Sequence, residues 1–132
     1  MCMRRVLPGF LLLAGLLVFA GGSMAQEVNV VQAVVCQDVV DRMPVGAGDV
    51  FPAGTARVFC FTRIVGAPAE TEITHNWYYQ GSLKASVVLP VRNDNWRTWS
   101  SKTLLPEWTG EWMVEVLSGD GTPLESIVFF IQ

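Results

Sequence analysis

One histidine, His75, occurs in this chain of 132 residues. It opens a stretch running to Trp112 that also holds all five tryptophans, both tyrosines and the polar string Arg97-Thr98-Trp99-Ser100-Ser101-Lys102. An imidazole beside a serine hydroxyl is the heart of a nucleophile–base pair, and an aspartate behind it would complete a hydrolase triad. Such a triad is defined by geometry, and the Gly-x-Ser-x-Gly turn that presents a nucleophilic serine is missing. Paired carboxylates serve no better, because Glu111 and Glu115 fall on the solvent side of one strand. A metal site needs several ligands at short spacing, and His75 has neither a second histidine nor a convergent carboxylate beside it. These residues predict neither an enzyme nor a cofactor.

Recognition suits them better. An arginine next to flat aromatics stacks on them and offers a fork of donors to a carboxylate, a sugar or a peptide carbonyl. Tryptophans on a sheet face make platforms for sugar rings. The candidate ligand-binding set is His75, Trp77, Tyr79, Arg97, Ser100 and Lys102. On an extended strand Arg97, Trp99 and Ser101 face one way, and Trp96, Thr98, Ser100 and Lys102 the other, so only a subset can converge. A plainer reading lays the stems of Arg97 and Lys102 over Trp99 and Tyr78 as surface cover. It also makes His75, between Ile73 and Trp77, a buried imidazole hydrogen-bonded to Ser100, Ser101 or a carbonyl.

Cys36 and Cys60 are a second pair with possible chemistry. In an exported chain an even pair predicts a structural disulfide, and a hairpin centred near Gly48 would set the two opposite each other. No Cys-x-x-Cys motif supports a redox role.

The elements that must position these residues read as strands. Val28 to Val40 is rich in valine, which packs well on a pleated face. Asp41 to Gly54 is a turn region with two prolines and three glycines interspersed. Further strands are predicted at Ala56–Val65, Glu72–Gln80, Lys84–Val91, Trp96–Leu105, Glu111–Leu117 and Leu124–Ile131. The last two face each other across Gly119-Asp120-Gly121, a hairpin turn in which Asp-Gly tolerates positive φ. Placing Leu117 opposite Leu124 aligns Val114 with Ile127 and Trp112 with Phe129, which makes one face apolar. The whole predicts an all-β fold, a seven-stranded antiparallel immunoglobulin-like β-sandwich, with a small barrel as the alternative.

Met1 to Arg5 is a short basic segment, Val6 to Ala20 an apolar run, and Ser23-Met24-Ala25 a small-x-small site, which together predict a signal peptide over 1–25. The charge-free run to Ala25 also has the length of a membrane anchor, about 20 residues, but Pro8, Gly9 and Gly21-Gly22 break it. Residues 26–132 then form a single domain that is periplasmic or secreted. Net charge is −3, and loss of Arg4 and Arg5 makes the remainder more acidic. That balance argues against nucleic acid or anionic lipid as partners.

Several strings are specific. Arg42-Met43-Pro44-Val45-Gly46 after Cys36, Val58-Phe59-Cys60-Phe61-Thr62, His75-Asn76-Trp77-Tyr78-Tyr79-Gln80-Gly81, Trp96 to Lys102 and Gly110 to Val116 resemble the bacterial domain of unknown function family 2914. The resemblance implies an extracytoplasmic module that is often appended to membrane-spanning segments, and it implies no reaction or ligand. The expected function is an exported, non-catalytic binding module for a glycan or an envelope protein. The alternative is an assembly partner of a membrane protein that docks by a sheet edge or an apolar patch.

Overall fold

The computed structural model describes residues 28–132, so the expected signal segment lies outside the described residues. Runs of β-branched and aromatic residues alternating with polar ones form strands, and the described residues contain no helix. The strands are β1 (Asn29–Cys36), β2 (Asp38–Val40), β3 (Met43–Val45), β4 (Val50–Phe51), β5 (Arg57–Val65), β6 (Thr71–Tyr79), β7 (Ser82–Val91), β8 (Asn95–Thr103), β9 (Gly110–Ser118) and β10 (Pro123–Ile131).

The seven long strands lie where the sequence puts them. The expected count is corrected to ten, because the first predicted strand breaks at Gln37 and the turn region holds short strands of its own. β2 and β3 form a hairpin through the two residues Asp41 and Arg42, both at positive φ (50° and 61°). Gln37 N–H donates to the Val45 carbonyl (3.0 Å) and ties the base of this hairpin. Gly46 (φ 70°) lies against the Gln37 side chain, which a Cβ would meet at 2.9 Å. Only glycine combines that backbone with that approach.

β1, β5 and β8 form one sheet in that order, and β4, β10, β9, β6 and β7 form another. All pairings are antiparallel except the two-residue contact of β4 with β10. The sheets pack face to face. Val35, Val58 and Cys60 of the smaller sheet meet Trp77, Trp112, Val114 and Phe129 of the larger in one apolar cluster. Ile64 meets Ile73, Val91 and Val116 in a second. The β9–β10 register aligns Val114 with Ile127 and Trp112 with Phe129, as the apolar pattern requires, while an irregularity at Leu124 leaves Leu117 opposite Pro123.

The outer faces differ in charge. Arg63 and Arg97 stand opposite each other on β5 and β8. Glu72, Glu111 and Glu115 alternate outward on β6 and β9, between the buried Ile73, Trp112, Val114 and Val116.

The expected disulfide is not there. Cys36 and Cys60 are both buried free thiols. β1 and β5 do pair antiparallel, but Cys36 falls opposite Phe59 and Cys60 opposite Val35. Residues one place out of register point to opposite faces of a strand pair, so the bridge has no straight path. Burial pushes both thiols above the usual range.

Candidate functional site

The six residues singled out in the sequence divide among three places. His75, Trp77 and Ser100 come together between the sheets, where His75 and Trp77 have no exposed surface and Ser100 almost none. The imidazole sits where the two apolar clusters meet, flanked along β6 by Ile73 on one side and Trp77 on the other. Its Nδ1 lies 2.7 Å from Ser100 Oγ and its Nε2 3.2 Å from Thr62 Oγ1.

Chemistry fixes every proton in this chain of contacts. The Trp77 indole can only donate, and it donates to Ser100 Oγ (3.1 Å). A backbone carbonyl can only accept, and Thr98 O accepts from the Thr62 hydroxyl (2.9 Å). Thr62, its proton committed, must accept from His75 Nε2–H, so Nδ1 is bare and accepts from Ser100 O–H. The hydrogen bonds therefore run in one direction, from indole to serine to imidazole to threonine to carbonyl, and they require neutral His75. Burial agrees, lowering the imidazole pKa from 6.5 to about 4. Ser100 and His75 are spaced like a nucleophile and its base, but the imidazole is backed by a threonine hydroxyl, and Ser100 already holds an indole proton. The arrangement joins the two sheets, and a ligand cannot reach it.

Tyr79 and Lys102 lie at one end of the sandwich. The Tyr79 hydroxyl donates to Thr109 O (2.7 Å), and its ring packs on Trp112 and Trp108 with centroids 5.0 and 6.1 Å away. Lys102 and Lys84 place their ammonium groups 5.2 and 5.6 Å from the Trp108 ring centre. Trp112 Nε1–H donates to Trp108 O (3.1 Å) and ties down the corner around Gly110.

Arg97 opens elsewhere, onto a cleft of about 280 Å³ lined by Arg42, Pro90, Trp96, Arg97, Thr98 and Trp99. Strand alternation would separate Trp96 and Thr98 from Arg97 and Trp99. They share a cleft because β8 is the edge of its sheet, so residues from both faces meet around its free side. Trp99 lies 6.2 Å from Phe61, its cross-strand neighbour, with the two rings nearly parallel. An adjoining hollow of about 250 Å³ is lined by Arg42, Asn95 and Arg97. The Arg42 guanidinium stands 5.7 Å from the centre of the Trp96 ring, carried there by the β2–β3 turn.

Residues 70–131 match the family model described as Protein of unknown function (DUF2914). This match supports the resemblance to the DUF2914 family over the segment from β6 to β10. No curated protein matches the sequence. The DUF2914 segment spans β6 to β10, so it is narrower than the resemblance expected for nearly the whole exported chain, and the strings at Cys36–Gly46 and Val58–Thr62 lie before it. Its boundary cuts both constellations. His75, Trp77, Thr98 and Ser100 lie inside the DUF2914 segment while their partner Thr62 lies outside. Arg97, Trp96 and Asn95 lie inside, and Arg42 and Arg63 outside.

Arg42, Asn95 and Thr62 were not among the sequence candidates. Nothing in the pair Asp41-Arg42 marks a tight hairpin, since such turns favour Asn-Gly or Asp-Gly. Thr62 could have been found only by asking which residue across the sandwich completes a buried imidazole.

Proposed function

We propose that the chain is an exported, non-catalytic binding module with an immunoglobulin-like arrangement of its seven long strands, and that it works in the periplasm or outside the cell. The observation carrying this reading is the cleft on β8, where two guanidinium groups and two indoles border one hollow. A cationic fork beside flat aromatic surface suits a glycan or a segment of an envelope protein. His75, Trp77 and Ser100 support the site from within by fixing β8 against β6, while Tyr79 and Lys102 stand apart from it. Titration with glycan fragments and envelope extracts, followed by tryptophan fluorescence, tests the reading. Saturable quenching that is weakened in Arg97→Ala and Trp96→Ala is expected. No response from the wild type, or equal responses in the variants, would discard the site.

A second reading has its own observation. Leu83, Tyr78, Met113 and Val128 stand side by side on β7, β6, β9 and β10, an apolar row crossing the outer face of the larger sheet. Leu83 and Val128 are 54% and 43% exposed. Beside the row, Asn76 Oδ1 is buried without a partner, which costs about 1–3 kcal/mol. The exposed apolar row suits an assembly surface for a membrane protein. Co-purification with such a protein that survives Arg97→Ala but is lost in Val128→Lys would favour this reading over the first.

A further inference from the structure

The side chains that border the hollow, those of Arg42, Asn95 and Arg97, present hydrogen-bond donors to a ligand. A guanidinium donates and never accepts. Asn95 could do either, but Arg63 settles its orientation. Arg63 Nε–H donates to Asn95 Oδ1 at 2.9 Å, so the amide must present its oxygen to Arg63 and keep its NH2 free. Register places Arg63 directly opposite Arg97, so three arginines gather on one outer face of the small sheet. Like charges across a strand pair are unfavourable, and acidic neighbours do not relieve them. Asp41 and Asp94 are adjacent in sequence to Arg42 and Asn95, yet the one ion pair among the described residues is Arg92 with Glu70, at 4.0 Å. Arg42 is further held at φ 61°, a backbone region that disfavours any residue with a Cβ. Unneutralised charge, donor side chains and an unfavourable backbone that delivers one of them all converge on one place.

We propose that this hollow binds an oxyanion, a phosphoryl or carboxylate group, with the two arginine forks and the Asn95 amide as its donors. The neighbouring Trp96 and Trp99 surfaces take the rest of the ligand. This proposal rests on reading the β8 cleft as the binding face and names the chemistry that the cleft selects. Neither group needs a covalent step, and both accept bidentate bonds from arginine.

Calorimetric and NMR titration of the purified chain with inorganic pyrophosphate, and separately with citrate, tests it at constant ionic strength. Saturable binding by at least one of the two is expected, with shifts at the side-chain NH signals of Arg42, Asn95 and Arg97 and at the Trp96 indole. Arg97→Gln and Arg42→Gln each weaken it on the order of tenfold. Arg97→Lys, which keeps the charge and loses the fork, weakens it less than Arg97→Gln, and Arg57→Gln, at the far end of β5, leaves it unchanged. Pyrophosphate and citrate separate phosphoryl from carboxylate as the preferred group. The proposal is overturned if sodium chloride gives the same shifts, if the shifts fall at Lys84, Lys102 and Trp108 instead, or if Arg57→Gln weakens binding as much as Arg97→Gln. An uncharged glycan that quenches Trp96 and Trp99 where neither anion binds would overturn the oxyanion assignment and leave the binding cleft standing. Silence from every ligand would overturn both.

Discussion

At the residue scale, the chain of hydrogen bonds through His75 explains why a polar group sits where the two apolar clusters join. Each donor has one acceptor and each acceptor one donor, so removing a single member strands the next. Ser100→Ala leaves the Trp77 N–H and His75 Nδ1 buried and unpaired, and should cost about 2–4 kcal/mol in urea unfolding. Adding Trp77→Phe to that variant should cost less than the sum of the two single changes, because the orphaned indole donor goes with it. The imidazole also sets a pH dependence. In the unfolded chain His75 takes a proton below about pH 6.5, but in the folded chain only below about 4, so unfolding draws in a proton between these values. Stability is therefore whole above pH 6.5 and falls as pH drops toward 4, by about 3 kcal/mol from this residue. Comparing the denaturation midpoints of wild type and His75→Gln across that window isolates the effect, and the variant should show a flatter profile. Burial of His75 was legible from its place between Ile73 and Trp77, and Ser100 was a foreseeable partner. Thr62 was not, because its role depends on which strand lies across the sandwich.

The β2–β3 hairpin is the element that turns a flat sheet face into a cleft. Its turn holds Asp41 and Arg42 at φ values suited to Asn and Gly, so sequence and backbone disagree at the point where Arg42 reaches Trp96. Replacing the pair by Asn-Gly should raise stability by about 1 kcal/mol, while ligand binding at the cleft falls. Thermal melts and titrations on the same protein check both signs. Gly46→Ala should do the reverse of a stabilising change, lowering the melting temperature through positive φ and contact with Gln37. The long strands and the β9–β10 register were readable because alternation over nine residues has one solution that buries a whole face. The short strands were hidden, since two or three residues carry no period and a hairpin without glycine at its tip gives no turn signal. The six candidate residues scattered for a related reason. Alternation tells which residues share a face of a strand, but edge position decides whether the two faces can meet.

For the molecule as a whole, cohesion comes from the packed sheets and the hydrogen-bonded link between them, with the thiols as passive filling. Cys36 and Cys60 should resist thiol reagents in the native protein and react together on unfolding, and a reductant should leave the melting temperature unchanged. A drop on reduction would mean that the sulfurs are joined. The opposed outer faces have one more consequence. A chain of net negative charge with arginines on one outer face and glutamates on the other carries a dipole between those faces. Such a particle near a charged support rotates before it drifts, and the support meets whichever side attracts it. At low ionic strength the chain should lag on a cation-exchange column despite its overall sign, and Arg63→Glu should release it early.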